Sequence, residues 1–204
     1  MKDHYYEKIL NIKTGGLQKG FPESTHYYRY EPTPYSALEQ LFENYKMKCS
    51  DRIVDFGCGK GRLNFYIHHF FRASVVGVEM NEAFYQAAEE NYKNYAKRHN
   101  PGKEKIQFYC GLAEDYPIDP LDNRFYFFNP FSVQIFMKII DNILLSYEKA
   151  PRELELILYY PSEDYIYFLD NQTPFELNEE IVLKALYENN PNERFLIYRL
   201  GSLI

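Results

Sequence analysis

A short apolar strand that runs into an acid, followed by a turn with glycine at every second position, restricts this chain to few folds. The stretch is Ile53-Val54-Asp55-Phe56-Gly57-Cys58-Gly59-Lys60-Gly61-Arg62. Gly57 and Gly59 let the backbone bend sharply and approach a ligand with no Cβ in the way, and Gly61 lets a helix start close against the strand. The next apolar run, Val75-Val76-Gly77-Val78, closes on Glu79. An acid at that strand end can accept two hydrogen bonds from a ribose diol, and open α/β sheets bind ligands in the crevice beyond the carboxyl ends of their strands. The spacing describes a pocket for a nucleoside-bearing cofactor.

The rest of the pattern agrees with such a sheet. Strands are expected at about 52–56, 74–79, 105–110, 124–128 and 153–160, and helices at 61–71, 82–99, 132–147 and 163–169. The long helix stops at Asn100-Pro101-Gly102, a strong termination signal. Two extended segments, 177–187 and 194–200, flank Asn189-Asn190-Pro191-Asn192 and predict a terminal hairpin. Alternating strands and helices imply a doubly wound α/β fold. Ahead of it, residues 1–35 form an N-terminal arm rich in Gly and Pro over 11–35, and residues 36–204 form the main domain, with a first helix from Tyr35 to Tyr45.

Composition narrows the function. At 204 residues the chain suits one domain with a sizeable core. A net charge of −6 disfavours strong autonomous binding to nucleic acid, which needs many Lys and Arg contacts. Cys49, Cys58 and Cys110 form no C-x-x-C pair, so neither a zinc site nor a disulfide framework is indicated. No apolar run is long enough to span a membrane and the first ten residues hold no signal-peptide core, so a cytoplasmic location is expected.

The spacing of Asp55, the glycines and Glu79 resembles the first motifs of class I S-adenosylmethionine (SAM) dependent methyltransferases, and the resemblance covers roughly residues 30–200. It implies a Rossmann-like, mostly parallel seven-stranded sheet with an antiparallel C-terminal hairpin and helices on both faces. It also implies SAM as cofactor. Asp55 would lie near the amino acid portion, with Gly57, Cys58, Gly59 and Gly61 forming the turn beneath it. Glu79 would hold the ribose and Met80 an adenine face. Ala113 and Glu114 would meet the adenine, although Leu112 follows Gly111 directly and the acids come later than in the commonest spacing.

Phe128-Asn129-Pro130-Phe131-Ser132 resembles the Asn/Asp-Pro-Pro-Tyr/Phe signature of amino-group methyltransferases, with the second Pro missing. That implies a nitrogen acceptor. Asn129 and the backbone would accept its N–H bonds and aim its lone pair, Pro130 would stiffen the turn, and Phe131 would stack on the substrate or pack near the cation. The Tyr-rich stretch from Tyr27 to Tyr35 is open to two readings. Tyr30, Thr33 and Tyr35 touch cofactor or acceptor as a lid, or the aromatics anchor the arm to the core.

Two rival functions stay in view. One is a SAM-binding scaffold or regulatory subunit without transfer chemistry. The other is an NAD-dependent oxidoreductase, but that fingerprint is G-x-G-x-x-G, and here the third Gly comes one position early. The acceptor, whether small molecule, protein or RNA within an assembly, is not named by the sequence.

Overall fold

The computed structural model describes residues 2–16, 30–102 and 104–201. Its sheet has seven strands: β1 (Arg52–Phe56), β2 (Ser74–Glu79), β3 (Ile106–Cys110), β4 (Arg124–Phe127), β5 (Leu154–Tyr159), β6 (Glu176–Val182) and β7 (Arg194–Leu200). Their order is β3-β2-β1-β4-β5-β7-β6. The pairs β1–β2, β1–β4, β2–β3 and β4–β5 are parallel. β7 runs antiparallel to both β5 and β6. The order reverses at β1, so the carboxyl ends of β1 and β4 diverge and open a crevice between them. The expected sheet with its antiparallel terminal hairpin is therefore present.

Helices α1 (Lys2–Leu10), α2 (Tyr35–Asn44), α3 (Arg62–Phe71), α4 (Glu82–His99), α5 (Val133–Lys149), α6 (Glu163–Gln172) and α7 (Lys184–Tyr187) surround the sheet. Strand side chains alternate between faces. Ile53, Val75, Tyr126 and Ile157 join one core with Leu38, Leu41, Phe65 and Tyr95. Val54, Phe56, Phe125 and Phe127 join the other with Phe136, Ile139, Ile140 and Leu169. Both faces are covered, which is why the inner strands read as apolar on both sides. No helix of the described residues is long and apolar enough to cross a membrane.

Two elements differ from the sequence reading. Residues 184–187 form the short helix α7, because Leu183 turns inward and is fully buried just after β6 ends. The N-terminal arm contains α1, which packs into the body through the fully buried Leu10 and a Tyr6–Tyr35 ring stack with centroids 4.7 Å apart.

At the amino ends of the strands, Arg124 is a buried hub. Its side chain, 4% exposed, stands 3.6 Å from Asp51, 2.8 Å from Glu153 and 3.1 Å from Glu155. Glu155 also accepts from Tyr45 Oη at 2.5 Å and from Arg199 Nη2 at 2.6 Å. Removing one partner of such a buried set strands the charges that remain. Arg124→Leu is expected to cost about 3–5 kcal/mol, measured as a lower urea midpoint with an unchanged slope.

Candidate functional site

The glycine turn is built by hydrogen bonds to β2. Gly57 and Cys58 donate their N–H groups to the Val78 carbonyl at 2.9 and 3.1 Å. Gly59 donates to Glu79 Oε2 at 2.9 Å, and Asn81 donates to Glu79 Oε1 at 2.8 Å. Gly57 and Gly59 have φ of +83° and +55°, values that disfavour any side chain. Asn81 in turn caps α4, its Oδ1 accepting from Ala83 and Phe84 N–H groups. One buried carboxylate thus ties the turn, the end of β2 and the start of α4 together. Burial holds the Glu79 carboxyl above its usual pKa. A carboxylate has about four lone-pair positions, and the backbone N–H groups of Asn81, Gly59 and Met80 use up to three of them, which leaves capacity for a ligand.

Asp55 sits between Gly77 and Tyr126 across three adjacent strands. It is 5% exposed. With the Asn64 amide oriented so that its nitrogen donates to Asp55 Oδ2 at 3.0 Å, its oxygen accepts from Gly77 N at 3.2 Å. A Cβ at Gly77 would stand 2.6 Å from Cys58 Sγ and 2.7 Å from Phe108 Cδ1, so this β2 position admits only glycine. Burial, and then the charge of Glu79, push the Asp55 carboxyl up to about 8. Cys58 is buried and its thiol is raised by the same burial, which leaves it a packing residue and not a nucleophile.

The arm crosses this turn. The Tyr30 ring lies on Gly59, where an added Cβ would come 2.0 Å from the ring. Tyr30 Oη donates to the Thr14 carbonyl at 2.7 Å, and its ring packs on Phe84 at 4.6 Å between centroids. Thr33 Oγ1 bonds to Tyr126 Oη at 2.7 Å. Arg62 fastens the strap: Nε donates to Thr14 Oγ1 at 2.8 Å and Nη1 to the Thr33 carbonyl at 3.2 Å. Tyr27, Tyr28 and Arg29 lie outside the described residues.

At the end of β4, Asn129 has φ +40°, a left-handed conformation that Asn tolerates. Its Oδ1 is shut off from solvent and has no hydrogen-bond partner among the described residues. Pro130 follows against the glycine turn, 3.0 Å from where a Gly57 Cβ would be. Phe131 is buried and its carbonyl accepts from Tyr165 Oη at 2.6 Å. Beside them, Tyr160 at the end of β5 has φ +53°, and its hydroxyl accepts from Asn190 Nδ2 at 2.6 Å.

These parts enclose a cavity of 740 Å³, within the range of small-molecule sites. Asp55, Gly57, Cys58, Glu79, Met80 and Ala113 line it, as do Asn129, Pro130 and Phe131. Tyr30 and Thr33 also line it. Three expected residues are placed elsewhere. Tyr35 opens α2 and is carried into the core, stacked on Tyr6 and under the Arg62 guanidinium at 4.4 Å. Glu114 lies in a 3-10 turn, Ala113–Asp115, and faces Lys138 of α5 at 3.9 Å. Gly61 packs against Phe65 and Phe108, away from the cavity, which leaves it the helix-packing role. Gly59 contributes through its N–H to Glu79 and lies beneath Tyr30. Sequence reasoning missed Arg62, Asn64, Tyr126 and Tyr160. Only Tyr160 carried a signal, since it closes an apolar strand directly before Pro161. Among the described residues no group of three or more His, Cys, Asp or Glu is placed to hold a metal ion.

Comparison with known proteins points the same way. Residues 53–137 match the model of a methyltransferase domain. A probable S-adenosylmethionine-dependent methyltransferase of Saccharomyces cerevisiae, CRG1, is 33% identical over 79 residues, which is 38% of this chain and 26% of the yeast protein. The matched region therefore spans about a quarter of that relative's length. Among solved structures, an RNA methyltransferase from Salinibacter ruber in complex with S-adenosyl-L-homocysteine aligns with a TM-score of 0.59 at 15% identity, over 83% of this chain and 92% of its own. A putative RNA methyltransferase from Pyrococcus horikoshii aligns at 0.58 and 15%, over 97% and 100%. A SAM-dependent methyltransferase from Thiobacillus denitrificans, also with S-adenosyl-L-homocysteine, aligns at 0.52 and 11%, over 84% and 92%. The sequence matches support the class I methyltransferase family, and the structures show its fold.

Because the folded protein raises the Asp55 pKa to about 8, the native state keeps a proton that the unfolded chain gives up near pH 4. The native state binds the extra proton between those values, so this group's contribution makes stability fall as pH rises from about 4 to about 8. Asp55→Asn imitates the protonated form. Its thermal midpoint is expected to lose that part of the decline and to exceed that of the original protein at pH 8, checked by calorimetric scans at several pH values.

Proposed function

We propose that the protein is a SAM-dependent methyltransferase whose acceptor is a nitrogen held beside Asn129. The observation that carries the acceptor assignment is the Asn129 Oδ1 atom, occluded and without a partner at the end of β4. A buried acceptor left unpaired costs roughly 1–3 kcal/mol. An N–H from a bound acceptor would recover that cost.

SAM fits the residues present. Its amino acid portion would lie near Asp55, its ribose would use the acceptor capacity that the backbone leaves on Glu79, and its adenine would sit between Met80 and Ala113. When bound it supplies an electrophilic methyl group. The chain's own residues then do the positioning. Asn129 accepts an N–H and turns the nitrogen lone pair toward the methyl, and Pro130 and Phe131 fix the turn that carries Asn129 against Gly57. The strap through Tyr30 and Thr33 covers the glycine turn and keeps water out. The free thiols at Cys49, Cys58 and Cys110 suit a reducing, cytoplasmic setting.

Incubation with methyl-labelled SAM and fractionated cell extract tests this. The expected result is label on nitrogen in one acceptor pool. Asn129→Ala should lower the transfer rate on the order of 10²-fold, the usual cost of misaligned reactants, while SAM affinity changes little. Full turnover by that variant would reject the role of Asn129.

A further inference from the structure

The cavity has one feature that the transfer chemistry leaves unused. Glu31 lines the cavity and is exposed. Its neighbours on the strap are fixed: Tyr30 to the Thr14 carbonyl at 2.7 Å and Thr33 to Tyr126 Oη at 2.7 Å. No hydrogen bond or ion pair engages its carboxylate among the described residues. It stands close enough to β5 that, after burial and Glu193, its charge helps to raise the Tyr159 hydroxyl pKa. Phe128 and Tyr160 also line the cavity, their ring centroids 6.5 Å apart and their planes at 65°.

Charge around the cavity is one-sided. Among the described lining residues the acids Glu31, Glu79 and Glu82, joined by Asp55 only above about pH 8, outnumber a single cation, Arg62. That cation is already engaged by Thr14, Thr33, Asp3 and Glu7. The described lining residues hold no further cation to neutralise a phosphate, and phosphate recognition depends on such groups. A carboxylate beside ring faces suits the opposite charge, since a cation gains from both.

Resting on the methyltransferase reading, we propose that the acceptor is an aliphatic amine whose ammonium group is drawn into the cavity by the Glu31 carboxylate and held beside the rings of Phe128 and Tyr160. A primary amine of this class is cationic at neutral pH, with a pKa of about 10 like that of lysine, and has no lone pair until it gives up a proton. The ammonium gives one proton to solvent water, leaving a neutral amine. The amine lone pair forms a bond to the methyl carbon as the carbon–sulfur bond breaks, and that bond's electron pair stays on the now neutral sulfur. The product is a methylated ammonium.

The test uses the full chain with labelled SAM and five probes: butylamine, 1,4-diaminobutane, phenethylamine, adenosine and unfractionated tRNA. SAM affinity is measured separately by calorimetry. The expected result is saturable transfer to at least one amine, with no transfer to adenosine or tRNA. Glu31→Gln should raise the amine KM at least tenfold, Glu31→Asp should restore part of it, and neither should change SAM affinity. Label in adenosine or tRNA, label in none of the amines, or an amine KM unchanged in Glu31→Gln would overturn the proposal while leaving the cofactor reading intact. Failure of the original protein to bind SAM would instead overturn the reading beneath it.

Discussion

The buried carboxylate of Glu79 organises the whole ligand face of the sheet. It accepts from Gly59 on one side and Asn81 on the other, so it sets the glycine turn after β1 and the entry to α4 in one step. Without it two N–H groups at the bottom of the cavity would be left without partners, a cost folding rarely tolerates. The ligand-binding role proposed for Glu79 uses the lone pairs that this structural role leaves over. Cofactor binding and loop geometry therefore rest on the same side chain.

A second dependence runs through the amino terminus. Arg62 opens α3, where a cation is unfavourable against the helix dipole. It is held there by Asp3 and Glu7 of α1 and by Thr14 and Thr33 of the arm. Asn91 adds a further tie, accepting from Lys13 N and donating to the Lys13 and Lys60 carbonyls. The arm, the glycine turn and α4 thus share hydrogen bonds. The segment in front of the sheet shapes the site through these ties as much as through its own contacts with the cavity.

Much of the fold was legible because local pattern and tertiary role agree. The apolar runs ending at Phe56 and Glu79 are strands buried on both faces, and the glycines after β1 occupy backbone conformations that few other residues accept. What was missed depends on partners distant in sequence. Helix α1 mixes charged and aromatic residues and becomes convincing only once Tyr6 meets Tyr35 and His99 Nε2 pairs with the Ile9 carbonyl at 2.9 Å. Tyr35 was expected at the site because it ends an aromatic stretch, but opening α2 turns its ring into the core. Glu114 was expected at the adenine, but it lies in the 3-10 turn Ala113–Asp115 and faces Lys138 of α5. Residues 184–187 read as strand from their apolar content alone, and the burial of Leu183 ends β6 one turn sooner.

The central claim is that Glu79 and the glycine turn form a seat for SAM and not for a pyrophosphate-bearing nucleotide. Calorimetric titration of SAM and, in parallel, NAD into the original protein and Glu79→Gln tests it most directly. Glutamine keeps a single acceptor oxygen, so one of the two backbone ties or the ribose contact must go. The account predicts saturable binding of SAM, none of NAD, and a loss of SAM affinity of about tenfold or more in the variant, the size of one charge-assisted hydrogen bond. Undiminished SAM affinity in Glu79→Gln, or binding of NAD in place of SAM, would contradict it.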